Sequence, residues 1–289
     1  MTLPGMLHGA IVPSSYAHAR IRGIDTSAAE ALPGVRAVIT GRSFPSGLIG
    51  SVLKDEPPLA VDKVRYIGEP VAAIAAVDEA TAREAANLVD VDYEELDAVF
   101  DMDAALAPDA PVLHENRNEY EVLYELPEHP NAAAWTHYRE GDPDTGWDEC
   151  DVIVEGVYDT PAQEHMYMEP CSSLAAVDGS GKVTLWSSLQ SVFRVQMLTA
   201  EALQIPMSKL RVIAPRIGGG FGGKCELTNQ PICVALARAA GAPVRLTYRR
   251  DEDMSTVKSR HACRVHMRTG ARADGTLVAR EVKMYFDTG

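Results

Sequence analysis

Arg216-Ile-Gly-Gly-Gly-Phe-Gly-Gly-Lys224 is the most informative stretch of this 289-residue chain. Five glycines fall between Gly218 and Gly223. Glycine reaches positive φ without steric penalty and lets a backbone approach a ligand closely. Successive amides in such a loop can converge as donors, and a helix N-terminus behind them adds partial positive charge. Lys224 adds a full charge. The combination predicts a cradle for a phosphate, or for the oxo groups and polar rim of a cofactor. A loop kept glycine-rich for tight packing is the plainer reading.

Two nucleotide motifs overlap this string. Gly218, Gly220 and Gly223 satisfy G-x-G-x-x-G, a weak signal alone. A dinucleotide unit needs an acidic ribose ligand after the next strand; Arg249-Arg250-Asp251 stands there, but no alternating βαβ continuation follows. The string also nearly matches G-x-x-x-x-G-K-[ST], with Cys225 in place of the magnesium-binding hydroxyl. A nucleotide (NADP or ATP) binding module without a metal cofactor is the alternative function, and a purely scaffolding role is a third.

Working outward, Lys209–Ala214 reads as a strand leading into the loop. Downstream, Thr228 or Asn229 can cap a helix with Pro231 in its first turn and Gly241 at its end. Ala262–Thr269 and Leu277–Phe286 suggest a hairpin around Asp274-Gly275. Upstream, Ser172–Val177 and Lys182–Ser188 flank Asp178-Gly-Ser-Gly181, another hairpin, and Ser191 can cap a helix to about Gln204. Further back, Val71–Val77 is a buried-strand run, followed by Asp78 as N-cap of a helix over 79–89 and a strand from Val91. Met6–Val12, Ala19–Asp25 and Val35–Gly41 read as short strands. Residues 106–150, rich in Pro, Asn, Asp and Glu, read as a connecting segment. The sequence stops just after a strand, as expected of part of a larger subunit.

With 46% hydrophobic and 24% charged residues, the composition is that of a globular protein. The net charge of −14 argues against a nucleic-acid or anionic-membrane surface. No apolar run is long enough to span a bilayer, and no signal peptide is visible. Five cysteines without a CxxC pair suggest reduced thiols, a cytoplasmic setting and no iron–sulfur site in these residues. His165 with Glu164 and Glu169 is the tightest His/carboxylate group but lacks HExxH spacing, so no direct metal ligand is expected.

The loop resembles the cofactor loop of the molybdenum hydroxylases, the xanthine dehydrogenase/aldehyde oxidase family. Gln163-Glu-His-Met-Tyr-Met-Glu-Pro170, Leu185-Trp-Ser-Ser-Leu-Gln190 and Arg249-Arg-Asp-Glu-Asp253 resemble the same family in the same order. Leu3-Pro-Gly-Met-Leu-His-Gly9, Tyr16-Ala-His-Ala-Arg-Ile21, Leu32-Pro-Gly-Val-Arg-Ala-Val38 and Gly68-Glu-Pro-Val-Ala-Ala73 resemble its "hammerhead" domain. The resemblance implies an α+β fold: a hammerhead-like α/β domain at residues 1–105, a connection at 106–150, and the first part of a molybdopterin-binding α+β domain at 151–289. It implies cofactor contacts at Gly220, Phe221 and Gly222, and a hydrogen bond from Gln190 to a molybdenum oxo ligand.

In purine-oxidising members a Glu directly follows the loop lysine. Here Cys225 stands there and Glu226 one position later, so both are substrate-pocket candidates and xanthine is marked down. The implied cofactor is molybdenum–molybdopterin, as the cytosine dinucleotide or the plain pterin, with 2Fe-2S and FAD on partner chains. The implied chemistry is base-assisted hydroxylation of an aldehyde, N-heterocycle or aromatic acyl-CoA, or a reductive dehydroxylation of the last class. The family's catalytic Glu, in a G-x-G-E motif, does not occur here. It is expected beyond residue 289, so no catalytic residue is assigned and this chain alone is expected to be inactive. The implied partners are an iron–sulfur subunit, an FAD subunit and the remainder of the molybdenum subunit, in a higher oligomer.

Overall fold

A computed structural model describes residues 1–43 and 47–288. Its elements begin with β1 (Leu7–Pro13), β2 (Ala19–Asp25), α1 (Ser27–Ala31), β3 (Val35–Thr40), β4 (Lys63–Val64) and β5 (Pro70–Ala76). Next come α2 (Glu79–Leu88), β6 (Asp90–Glu95), α3 (Met102–Ala105) and α4 (Pro143–Asp148). The second half holds β7 (Val152–Thr160), β8 (Ser172–Val177), β9 (Val183–Ser187), α5 (Val192–Ala202) and β10 (Leu210–Ile213). It continues with α6 (Gln230–Ala240), β11 (Val244–Thr247), α7 (Arg250–Thr256), β12 (Ala262–Ala271) and β13 (Leu277–Asp287). The class is α+β, as the resemblance implies.

The chain forms two compact units. One comprises Met1–Ala98, Asn116–Leu123 and His165–Lys258. Its main sheet has seven strands in the order β10-β9-β8-β11-β1-β5-β3. The apolar run of β5 is buried at all seven positions, as a strand between two neighbours under a packed helix layer must be. β1 lies between β5, to which it is antiparallel, and β11, to which it is parallel through Leu7↔Val244. Helix α6 packs on this sheet, burying Ile232, Val234 and Leu236 against Val244 and Leu246. Each such side chain contributes about 2 kcal/mol of transfer free energy. A second sheet in this unit has the order β4-β2-β6.

Local signals account for the helix ends. The Asp78 carboxylate accepts from the Thr81 N–H at 2.8 Å at the start of α2. α6 has Pro231 in its first turn and stops at Gly241, whose φ of 61° is left-handed. Ser191 occupies the N-cap position of α5, but its side chain makes no capping bond.

The other unit comprises Val99–Glu115, Tyr124–Glu164 and the residues from Ser259 onward. Its sheet is antiparallel, in the order β13-β12-β7. The β12–β13 hairpin turns at Gly275, with φ of 88°.

What places the functional loop is the pairing of β9 with β10. The two are parallel, in register from Leu210↔Val183 to Ile213↔Trp186. Their C-terminal ends therefore lie side by side, and each runs into a loop: Ser188–Gln190 after β9 and the glycine stretch after β10. Loops at the carboxyl ends of parallel strands are where α/β sheets commonly bind ligands.

Candidate active site

The glycine loop is closed onto two polar side chains from other segments. The Gln190 Oε1 accepts from the Gly222 N–H at 3.0 Å and the Lys224 N–H at 3.2 Å. A Cβ on Gly220 would stand 2.5 Å from Gln190 Cδ, so only glycine admits the carboxamide at that place. The Glu169 Oε2 accepts from the Gly218 N–H at 2.8 Å. Internal turns finish the loop, with Gly223 N–H to Gly220 O at 2.8 Å and Cys225 N–H to Gly222 O at 3.1 Å.

Among the described residues, the N–H groups of Gly219, Gly220 and Phe221 have no protein acceptor. The Gln190 NH2 likewise has none, and its side chain is exposed. The loop thus holds three successive unpaired backbone donors, at partly exposed Gly219, buried Gly220 and exposed Phe221, beside a carboxamide donor.

Phe221 is unusual in two respects. Its φ of 49° is left-handed, and its side chain is 74% exposed. The first costs a non-glycine residue about 1–2 kcal/mol, and the second leaves an aromatic ring in solvent. Met166, on the Gln163–Pro170 segment, has φ of 50° and is 55% exposed. Backbone strain of this kind clusters at ligand sites.

Lys224 departs from the sequence reading. Its side chain is fully buried and contributes no charge to an open cradle. Nζ donates to the Glu169 carbonyl at 2.7 Å and the Glu169 carboxylate at 3.1 Å, and lies 4.4 Å above the Tyr167 ring centroid. The expected contribution of a helix N-terminus is also corrected. α6 begins only at Gln230, and its start is buried at Asn229 and Gln230. Neither feature has the disposition that a phosphate-binding loop requires.

Beneath the loop is a buried polar layer that sequence reasoning did not assign. Tyr167 O–H donates to Asp253 Oδ1 at 3.3 Å, and the Cys171 N–H donates to the same oxygen at 3.0 Å. Arg250 donates to Asp253 Oδ2 at 3.3 Å. Burial pushes the Cys171 thiol up to about 12, helped by the negative Asp253. The signal was present, because Tyr167, Glu169 and Asp253 all lie within the Gln163–Pro170 and Arg249–Asp253 motifs, but nothing local shows that they converge.

The two substrate-pocket candidates part company. Glu226 Oε1 is 2.6 Å from Arg194 Nη2, and Oε2 accepts from Ser51 Oγ at 3.2 Å. Its carboxylate is thus held by an α5 cation and a hydroxyl from the N-terminal segment. Cys225 is a partly exposed free thiol next to the loop.

The molybdopterin cofactor-binding domain family matches residues 125–289, and the aldehyde oxidase/xanthine dehydrogenase a/b hammerhead family matches residues 1–97. The chain belongs to the xanthine dehydrogenase/aldehyde oxidase family. It is 35% identical to the nicotinate dehydrogenase large molybdopterin subunit of Eubacterium barkeri, covering 100% of this chain and 65% of that one. It is 32% identical to the xanthine dehydrogenase of Dictyostelium discoideum, covering 98% and 20%. The aldehyde oxidoreductase of Desulfovibrio gigas superposes with a TM-score of 0.85 at 30% identity, over 99% of this chain and 31% of that one. The chain therefore spans less than two thirds of the length of these relatives.

The residues present suit the cofactor that this domain family binds. A polar, multiply hydrogen-bonding rim needs clustered donors, supplied by Gly219–Phe221 and the Gln190 NH2. Close approach needs backbone with few Cβ atoms, and five of the six residues Gly218–Gly223 are glycines. No described helix is long and apolar enough to cross a membrane.

Proposed function

We propose that Gln190, Gly220, Phe221 and Gly222 form one wall of a molybdenum–pterin site in an oxidoreductase. Its substrate class is an aldehyde, an N-heterocycle or an aromatic acyl-CoA. The observation that carries this reading is the division of labour in Gln190. Its oxygen is consumed by Gly222 and Lys224 N–H groups, which fixes the carboxamide and leaves its NH2 as an exposed donor beside three backbone donors.

When bound, the molybdenum–pterin group supplies two-electron redox chemistry at a substrate carbon. The protein's part is to bind and orient it. The amides of Gly219–Phe221 and the Gln190 NH2 would donate to its polar atoms, and the Phe221 ring would shield it from water. Cys225, a partly exposed thiol next to the loop, is a substrate-pocket candidate. Glu226, held by Arg194, acts as a tie. By the family resemblance, proton abstraction would fall to a Glu of a G-x-G-E motif, a motif these residues do not contain. 2Fe-2S and FAD centres on partner chains, in a cytoplasmic assembly of higher order, would supply the onward redox chemistry. The nucleotide-binding reading is disfavoured by the burial of Lys224.

Metal and pterin analysis of the purified protein in its native assembly tests the proposal. One molybdenum per chain, and a fluorescent pterin oxidation product with or without CMP, are expected. Active enzyme free of molybdenum overturns the reading.

A further inference from the structure

The loop's open amides need a support, because a run of five glycines among Gly218–Gly223 has the highest backbone entropy a chain can carry. The buried layer below it has the form such a support requires. Lys224 is fully buried, yet both its charge and its donors are accommodated by Glu169 and the Tyr167 face. Glu169 binds back to the first glycine through two bonds: its carboxylate accepts from Gly218 N–H, and its own N–H donates to Gly218 O at 3.3 Å. Tyr167 also packs directly under the loop, since Cβ atoms on Gly219 or Gly223 would meet it at 3.2 and 3.0 Å. Its hydroxyl is fixed by Asp253, which is 0% exposed and is itself paired with Arg250. Two cations and two carboxylates thus alternate through one aromatic ring, with Lys224, Tyr167 and Asp253 buried and Glu169 and Arg250 partly exposed at the ends.

We infer that Lys224, Glu169, Tyr167 and Asp253 act as a positioning strut. Together they clamp both ends of the glycine loop and hold the Gly219, Gly220 and Phe221 amides in their donor arrangement. None of the four touches the ligand. The inference rests on the reading of the loop as a cofactor wall. It assigns to the Gln163–Pro170 and Arg249–Asp253 motifs a role that the cofactor contacts alone leave unexplained. It also explains why a lysine beside a ligand loop is driven into the protein. A buried ammonium without partners is strongly unfavourable, so this lysine is stable only when the loop is closed upon it.

The test uses Tyr167→Phe, Lys224→Met, Glu169→Ala and Glu169→Gln in the purified protein in its native assembly. Tyr167→Phe keeps the ring volume and therefore folds even where Lys224→Met does not. Hydrogen exchange of the peptide spanning Gly218–Gly223 is compared with exchange in β5, and molybdenum per folded chain is measured. Loop exchange is expected to rise about tenfold in Tyr167→Phe, the effect of losing one net hydrogen bond, with β5 unchanged. Molybdenum occupancy should fall with it, and Glu169→Gln, which keeps an acceptor oxygen, should lie between Glu169→Ala and wild type. Unchanged loop exchange in Tyr167→Phe overturns the strut. Accelerated exchange with full molybdenum occupancy overturns its positioning role. Wild-type protein without molybdenum, with loop exchange still accelerated in the variants, overturns the cofactor reading while the strut stands.

Discussion

Gly220→Ala isolates the junction between the loop and Gln190. A methyl group there would stand 2.5 Å from Gln190 Cδ and closer still to Oε1, and all three of its nearest neighbours belong to that side chain. Gly220 is not among the positive-φ glycines, so alanine brings no left-handed strain. The structure responds by displacing the carboxamide, which breaks the bonds from Gly222 N–H at 3.0 Å and Lys224 N–H at 3.2 Å. Two such bonds are worth about 2 kcal/mol net. Because the whole cost passes through one side chain, it should vanish where that side chain is already gone. In a double-mutant cycle with Gln190→Ala, measured by urea unfolding, a coupling energy of about 2 kcal/mol is expected. Gly219→Ala is the control. Its φ of 98° makes alanine strained in both backgrounds, at about 1–2 kcal/mol with no rescue. Equal destabilisation by Gly220→Ala with and without Gln190 would refute the argument, because the clash would then lie in the backbone.

Glu69 is 3% exposed, and burial raises its carboxyl from 4.5 to about 7. Between those values the unfolded chain loses the proton and the folded chain keeps it. Stability therefore falls as pH rises from about 4.5 to about 7, by roughly 3 kcal/mol. Glu69→Gln should remove that part of the slope, and a curve parallel to wild type across the window contradicts the assignment. Thiol labelling of the native protein at about pH 8, near the ordinary thiol range, should modify Cys225 and spare Cys171 and Cys233, both buried and pushed up to about 12. Rapid labelling of either buried thiol without unfolding would count against the packing described. Asp78→Ala removes the capping bond to Thr81 N–H and should cost about 1 kcal/mol in thermal or urea unfolding, with Asp78→Asn losing less.

The local features were legible because their causes are local. β5 follows from an unbroken apolar run, α2 from the Asp78 cap, the β8–β9 turn from Asp178-Gly-Ser-Gly181, and the end of α6 from Gly241. The parallel pairing of β1 with β11 had no such cause. Leu7 meets Val244 across most of the chain, and strand partners so distant leave no periodicity in either segment. Neither strand's sequence states that the two share a sheet. For the same reason the proximity of Gln190 to the glycine loop was available only through family resemblance. Physically it follows from the β9–β10 register.

Lys224 shows where reasoning from residue type fails and why. A lysine after a glycine run is a cation at a loop mouth unless something inside can receive it. Here the receivers are Glu169 and Tyr167, one carboxylate and one ring from a segment that the sequence places far upstream. Once the lysine is internal, the polarity of the site changes meaning. What remains around Gln190 is a set of neutral donors, the loop amides and one carboxamide, with the exposed Arg216 as a positive charge at the head of the loop. Neutral donors of this kind favour a ligand with many acceptors spread over a rigid polar rim. The buried lysine thus determines the kind of ligand indirectly, by holding the donors in place while withholding its own charge from them.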